Sequence, residues 1–390
     1  MDRRTSIFAG YLFAIIDAQR IFAKVASAQP PKRREMMRIS QFTAYVGSAF
    51  LVAGATLFAG CAGGLPAETG AGVGGAARPV SPASVPKLMG RPAWYREAPA
   101  GMKKGLYIGE FYTSDILGYA WDASKNLPPI CELPASFVVD VATDPSGDLI
   151  DPDGGSREVI VYHGPAMCGS QIGSFTDTAG QPSDAATHNA TTGTIYVGNI
   201  QATGQVYGNV SVCTLAAGCS AVLSNPAIGG QLFSVAEDKQ GNVYASGYVN
   251  PTGGHGNGSG AALVVWRNGT GSGTVIKSYR NKWPGGLEVD RAGNLLAFDT
   301  FAKNAGALFV YTGCPSQCKA HGPFPLKGES VYGKVNLKSN LLMVGDFEYG
   351  KVDVYRYRGT KGITYLYSFS NGISPSGDVE GIAIDPAASD

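Results

Sequence analysis

GLEVDRAGNLLAF at 286–298 is a short apolar run, a turn opened by Asp290 and closed by Gly293-Asn294, and a second apolar run. An Asp side chain can accept a hydrogen bond from the backbone two residues on, and Gly supplies positive φ, so Asp-x-x-Gly-Asn specifies a tight hairpin by mechanism. The pattern returns as VVDVATDPSGDLI at 138–150, SDAATHNATTGTIYV at 183–197, FSVAEDKQGNVYA at 233–245, VYGKVNLKSNLLMV at 331–344 and VEGIAIDPAASD at 379–390. The turn anchors are then Asp144, His188, Asp238, Asp290, Asn336 and Asp385, at steps of 44, 50, 52, 46 and 49 residues. Six β-type units of this period predict an all-β chain folded as a six-bladed β-propeller, one four-stranded blade per step.

Each complete copy is followed by a stretch that reads as an outer hairpin, for example ALVVWRNGTGSGTVIKSY at 262–279 and VDVYRYRGTKGITYLYSF at 352–369. The order within a blade is therefore inner strand, Asp/Gly turn, second strand, outer hairpin. GLYIGEF at 105–111 matches the second strand TIYVGNI at 194–200 position for position, and no inner strand precedes it. VEGIAID at the other end is an inner strand with nothing after it. The two fragments complete one blade, so a C-terminal inner strand joining three N-terminal strands is expected to close the ring and remove its open edges.

Composition agrees with many tight turns between short half-buried strands. Glycine contributes 54 of 390 residues and charged residues only 16%, against a usual share of about 25%. The net charge is +1 and no basic run falls in the propeller. A nucleic-acid surface, which needs concentrated Lys and Arg, is thereby disfavoured. A monomer is expected.

Three segments divide the chain: a leader over 1–60, a tether over 61–100 and the propeller over 101–390. Residues 41–60 are uncharged, follow Lys32, Arg33, Arg34 and Arg38, and end at Cys61. Leu57-Phe58-Ala59-Gly60-Cys61 resembles a bacterial lipobox, in which small residues admit the signal peptidase and the next Cys takes the lipid. This predicts an exported cell-envelope lipoprotein held on the membrane through Cys61. The alternative is a transmembrane anchor, since some 20 uncharged residues suffice to span a bilayer. The 35 residues before Met36 and Met37 fit no signal peptide, and either Met is a natural start. After Cys61, AGGLPAETGAGVGGAARPVSPASVP carries almost no large apolar residue, which is the composition of a flexible tether.

Six cysteines remain in the propeller. Cys213 with Cys219, and Cys314 with Cys318, fall in outer-hairpin tips and are expected as disulfides. Zinc is the alternative, but the spacings suit it poorly and no His stands in register. A Cys131–Cys168 pair would cross between blades, and the sequence leaves it open.

No hydrolytic motif is present. His163, His188, His255 and His321 are scattered, with no Gly-x-Ser-x-Gly elbow. His188 replaces a turn Asp and is expected to bond that turn. The second strands end in Glu110, Asn199, Gly247 and Asp299, with Asp151 and Asp346 near the same level, so polar side chains should ring one mouth of the channel. Glu110, Asn199, Asp299, Asp346 and Glu380 are thus candidate ligand-binding residues. They could offer oxygens to Ca²⁺ or another divalent cation, or accept backbone N–H groups from neighbouring turns. Phe111, Tyr112, Tyr248, Phe301 and Tyr349 lie close to this ring, as a ligand platform or as loop packing.

The strings at Gly286–Asn294 and Val379–Asp385 resemble the six-bladed family that contains NHL-repeat proteins and the senescence marker protein/gluconolactonase group. The resemblance implies the fold over roughly 105–390. Its lactonase branch would place a divalent metal in the axial channel, held by Glu, Asn and Asp near the inner-strand starts. Five residues before each anchor stand Val139, Ser183, Phe233, Gly285, Val331 and Glu380, of which only Glu380 could ligate. The expected function is therefore an envelope-anchored scaffold binding a small molecule or a protein. The alternative is a metal-dependent lactonase, esterase or lyase. Three or more converging carboxylate or amide oxygens within coordination range would favour the enzyme, and a channel plugged by apolar side chains the scaffold.

Overall fold

A computed structural model describes residues 105–384 apart from 112, 121–127, 165–169, 251–259, 301–305, 337 and 375–378. The leader, Cys61, the tether, Cys168, Tyr112, Phe301 and Asp385 lie outside the described residues.

Within them the chain forms six four-stranded antiparallel sheets. Blades 1 to 5 run outward from inner strands Ala142–Thr143, Gly180–Thr187, Leu232–Glu237, Leu287–Val289 and Ser330–Val335. Blade 6 takes its inner strand, Val379–Ile384, from the C-terminal end and adds Gly105–Glu110, Asp115–Ala120 and Cys131–Pro134. Its register pairs Leu106 with Ile384, Ile108 with Ile382 and Gly109 with Gly381. This is the closure the two sequence fragments imply.

Second strands are buried along most of their length because both of their faces are covered. In blade 4, Leu295 and Ala297 pack with Tyr244 and Leu263 of blade 3, while Leu296 and Phe298 pack with Leu342 and Val344 of blade 5. The period of two puts alternate residues on opposite sides, and a propeller buries both sides. One apolar cluster fills each of the six seams between neighbouring blades. The core is thus six slabs arranged around an axis.

The turns behave as their chemistry requires. Asp238 Oδ1 accepts from the N–H groups of Gln240 and Asn242, each at 2.9 Å, and Asp144 Oδ1 accepts from Ser146 and Asp148 at 2.8 and 3.0 Å. Gly293 has φ 82°. In blade 5 the corresponding residue is Ser339, held at φ 50°, while its hydroxyl accepts from Arg291 N–H at 3.0 Å. His188 departs from expectation: its Nε2 donates to the Asp238 carbonyl of the next blade at 2.8 Å. Its own turn is bonded by Asn189, whose Oδ1 accepts from Thr191 and Thr192 N–H at 3.0 and 2.8 Å.

Cys213–Cys219 and Cys314–Cys318 are disulfides. Cys131 is disulfide-bonded as well.

Residues 379–390 hold Val379, Ile382 and Ile384, exposed by 0%, 0% and 7%. Each is worth roughly 1.5–3 kcal/mol of burial, against about 5–15 kcal/mol for a typical domain. A chain truncated after residue 378 should aggregate or melt far lower than the parent, whereas deletion of 62–90 should leave the melting temperature within a few degrees. Equal melting of the truncated and full chains by circular dichroism would contradict the closure.

Candidate functional site

The inner segments carry polar or charged residues where their neighbours are small or apolar. Counted back from the turn anchors, position four holds Asp140, Asp184 and Ser234 in blades 1 to 3, and position two holds Glu288 and Lys334 in blades 4 and 5. All five come from different blades, and the ring brings them together at its axis.

The contacts form a relay from blade to blade. Ile382 N–H donates to Asp140 Oδ1 at 3.0 Å, and Asp140 N–H donates to the Ser183 carbonyl at 3.0 Å. Asp184 accepts from Ser234 Oγ and Val235 N–H at 2.5 and 2.8 Å, and Ser234 Oγ accepts from Leu287 N–H at 2.8 Å. Gly286 N–H donates to the Val331 carbonyl at 2.8 Å. Lys334 Nζ lies 3.5 Å from Asp140 Oδ2 and 3.5 Å from Glu288 Oε2. In blade 6 position four is Gly381, where an added Cβ would stand 2.9 Å from Asp140 Cα.

Three carboxylates therefore share one ammonium. Burial pushes the Glu288 carboxyl up to about 7, with Lys334 pulling the other way. Asp140 is raised well above the carboxylate range for the same reason, and Asp184 is raised despite its hydrogen bonds. Burial opposes the charge on Lys334, but Asp140, Glu288 and Asp184 together outweigh it and hold the ammonium charged. Unpaired burial of any one of these charges would be costly, and the shared arrangement is what tolerates them.

On the side of the inner-strand starts, Tyr332 reaches across the axis and its hydroxyl donates to the Phe233 carbonyl. Val139, Val331, Phe111, Phe137, Phe233 and Phe347 pack around it, with Phe111 edge-on to Phe137 at 5.2 Å and to Phe347 at 6.1 Å. This layer plugs one end of the channel. The turn side opens into a funnel of about 270 Å³ lined by residues of all six inner strands, with Lys334 and Glu288 among them. At position two the other four blades present Ala142, Ala186, Ala236 and Ala383 to the funnel, which makes it wide. His188, Lys239 and Arg291 also line it, from the turns.

The second-strand ends do a different job. Glu110 accepts from Ser374 N–H at 2.7 Å and Thr113 Oγ1 at 3.1 Å. Asp299 accepts from Lys282 and Trp283 N–H at 2.8 and 3.3 Å. Asn199 Nδ2 donates to Asp177 Oδ2, Asn209 Oδ1 and Ser211 Oγ at 3.0, 2.8 and 3.0 Å. Asp346 accepts from Glu348 and Tyr349 N–H and pairs with Lys351 at 3.3 Å. These groups fasten nearby loops, most of them the linker arriving from the preceding blade. In blade 1 this work falls to Asp153, which accepts from Ser136 and Phe137 N–H at 3.1 and 2.9 Å, and not to Asp151. Where blade 3 has Gly247, an added Cβ would meet Ile228 at 2.5 Å, so the linker packs directly on the strand. Glu380 lies within electrostatic range of Tyr332. Of the aromatic residues, Tyr248 packs edge-on to Phe233 and Trp283 at 5.2 and 6.2 Å, and Tyr349 is 54% exposed.

A resident channel metal does not fit these donors. The apolar layer occupies the level of the inner-strand starts, and deeper in the channel the carboxylates converge on Lys334 Nζ, a cation supplied by the chain. Among the described residues, the one cluster with metal-like spacing, Asp177 with Cys213 and Cys219, has both sulfurs in a disulfide.

No family model matches the chain, and no curated protein matches its sequence. Solved structures do resemble it. One is a chain from the crystal structure of a nidogen/laminin complex, at TM-score 0.51 and 15% identity, covering 72% of this chain and 98% of that one. Another is a protein of unknown function from Bacteroides caccae, at TM-score 0.50 and 11% identity, with coverage of 72% and 98%. At such identities the likeness is one of fold. The chain is a six-bladed β-propeller.

Asp151 offers a test of the buried electrostatics. It is 1% exposed, and both carboxylate oxygens lack a hydrogen-bond partner. Burial, with Asp153 nearby, pushes it up to about 8 from 3.8. The native state then binds a proton that the unfolded chain has lost, so stability falls as pH rises through that window. Asp151→Asn should raise the melting temperature at pH 9 and change it little at pH 3.5. An equal effect at both would mean that Asp151 is ionised in the fold.

Proposed function

We propose that the chain is a ligand-binding propeller displayed at the cell envelope, and that its ligand seats in the axial funnel. The observation that carries this reading is the blind funnel itself, walled by four alanines and floored by the Lys334–Glu288 pair. A channel sealed at one end by Tyr332 and the surrounding aromatic layer gives a ligand one mouth for entry and exit. Concave sites with mostly apolar walls and a few convergent polar groups are the usual form of small-molecule sites. Two disulfides and the lipobox-like run ending at Cys61 support an oxidising location outside the cytoplasm. The rival metal-dependent hydrolase draws no support from the channel donors.

A protein partner is the second reading, favoured by Val206, Tyr207, Val249 and Tyr349, exposed by 54%, 39%, 43% and 54%. They lie on loops that follow second strands, away from the turns that line the funnel. A propeller of similar fold occurs in a nidogen/laminin complex.

The funnel reading is tested by a thermal-shift screen of a small-molecule library on wild type and Ala186→Trp, since Ala186 is half-buried and an indole there fills the space. Compounds should stabilise the wild type and not the variant. A screen without any compound of that behaviour would sink the funnel as the ligand site.

Envelope display is tested separately by Cys61→Ser. Wild type should partition into detergent and carry lipid, while the variant should accumulate as an unprocessed or unlipidated form. Finding the wild-type protein soluble in the cytoplasm would end that part of the proposal.

A further inference from the structure

We infer that the funnel selects a small organic zwitterion, with a primary ammonium or guanidinium head seated against Glu288 and an anionic tail at the rim. This rests on the funnel being the ligand site and adds the chemistry of the ligand.

The charge arrangement sets the direction. Lys334 faces Asp140 and Glu288 at 3.5 Å each, and Asp184 acts on it as well. Asp184 is already satisfied by Ala185, Ser234 and Val235. Asp140 Oδ1 is satisfied by Ile382, while its Oδ2 has no hydrogen-bond partner and only the distant ammonium. Neither Asp lines the funnel, whereas Glu288 does. The one ammonium at the floor is thus already shared with Asp140 and Glu288, and an anion arriving there would compete with them for it. A cation arriving there meets the Glu288 carboxylate, which lines the funnel.

Glu237 adds an independent mark. It lines the funnel, its side chain is 10% exposed, and its Oε2 is buried without a hydrogen-bond partner. Its other oxygen lies 3.7 Å from His188 Nε2. One carboxylate at the funnel wall thus has unused acceptor capacity beside the Glu288–Lys334 pair.

The walls decide what kind of cation enters. A hard divalent ion takes six or more oxygens, and Ala142, Ala186, Ala236 and Ala383 offer methyl groups. Methyl walls suit the alkyl stem of an organic ammonium. A volume of about 270 Å³ admits a compact molecule rather than a polymer. At the mouth, Lys239 and Arg291 are exposed and adjacent, with Lys239 Nζ donating to the Arg291 carbonyl at 3.2 Å. A basic rim above the Glu288 and Glu237 carboxylates fits a ligand whose carboxylate points outward.

Glu288 also makes the binding pH-dependent. The groups acting on it are Lys334 from blade 5, Asp184 from blade 2, Asp290 from its own turn, and Tyr357 of blade 5. Glu237, His188, Lys239 and Arg291 share the same cavity. At neutral pH the raised Glu288 carboxyl retains a proton part of the time. A cation seated beside it displaces that proton, so affinity should climb as pH rises through about 7 and level off above it.

The test is isothermal titration of the full chain with 5-aminopentanoate at pH 6, 7 and 8, in two buffers of different ionisation enthalpy. Binding should tighten by about tenfold from pH 6 to pH 8, with proton release at pH 7. Glu288→Gln should bind weakly at every pH. Lys239→Ala and Arg291→Ala, both on the exposed rim, should weaken 5-aminopentanoate but leave butylammonium unchanged, which keeps the idea open to refutation if the Glu288 variant does not fold. Pentanoate binding as tightly as 5-aminopentanoate would overturn the cationic head. Ca²⁺ displacing the ligand competitively would overturn the organic cation. If neither 5-aminopentanoate nor butylammonium binds while the library yields compounds blocked by Ala186→Trp, the zwitterion is wrong and the funnel stands. If no compound at all is blocked by Ala186→Trp, the funnel itself fails.

Discussion

Six separate sheets meet at an axis, and no backbone ladder runs from one to the next. What ties the inner strands together is a relay of side chains and isolated backbone bonds: Ile382 to Asp140, Asp140 to Ser183, Asp184 to Ser234, Ser234 to Leu287, and Lys334 across to Asp140 and Glu288. The apolar slabs supply most of the burial, but they are non-directional. The polar relay fixes how far each blade stands from the axis and at what height. Turn carboxylates repeat the idea at a larger radius: Asp144 Oδ2 accepts from Ala190 N–H of the next blade at 2.9 Å, and Asp290 Oδ2 from the Tyr357 hydroxyl at 2.9 Å.

The blade count, the strand order and the closure by 379–384 are legible in the sequence because each rests on local chemistry. Asx turns, positive-φ glycines and period-two runs are written residue by residue, and so are the two hairpin disulfides. The axial cluster is a different matter. Glu380 is the sole ligating residue five positions before a turn, while the charges that gather at the axis stand one to three residues further on, at Asp140, Asp184, Glu288 and Lys334. A signal was present: a charged side chain inside a short, otherwise apolar inner strand has no partner in its own hairpin. Reading it requires stacking the repeats and comparing every column.

Glu110, Asn199, Asp299 and Asp346 illustrate the opposite limit. Residue type and position mark them as polar groups at strand ends, but whether they converge depends on the radius at which each blade ends and on the path of the linker. In the structure they hold loops in place, and Asp153 rather than Asp151 belongs to the same set. His188 was legible as a polar turn residue but not as a bond to the next blade, since its partner is the Asp238 carbonyl 50 residues away.

The composite sixth blade has a consequence for how the chain is made. Gly105–Glu110 is synthesised early, yet the strand that covers its inner edge is Val379–Ile384, about 270 residues later. Blades 1 to 5 can each assemble from contiguous sequence as they emerge, while the first strands wait with an open ladder. Ring closure is therefore a late, long-range step with a high loop-closure cost. Until it occurs, the nascent protein presents an apolar strand edge of the kind that chaperones hold and that other chains can pair with.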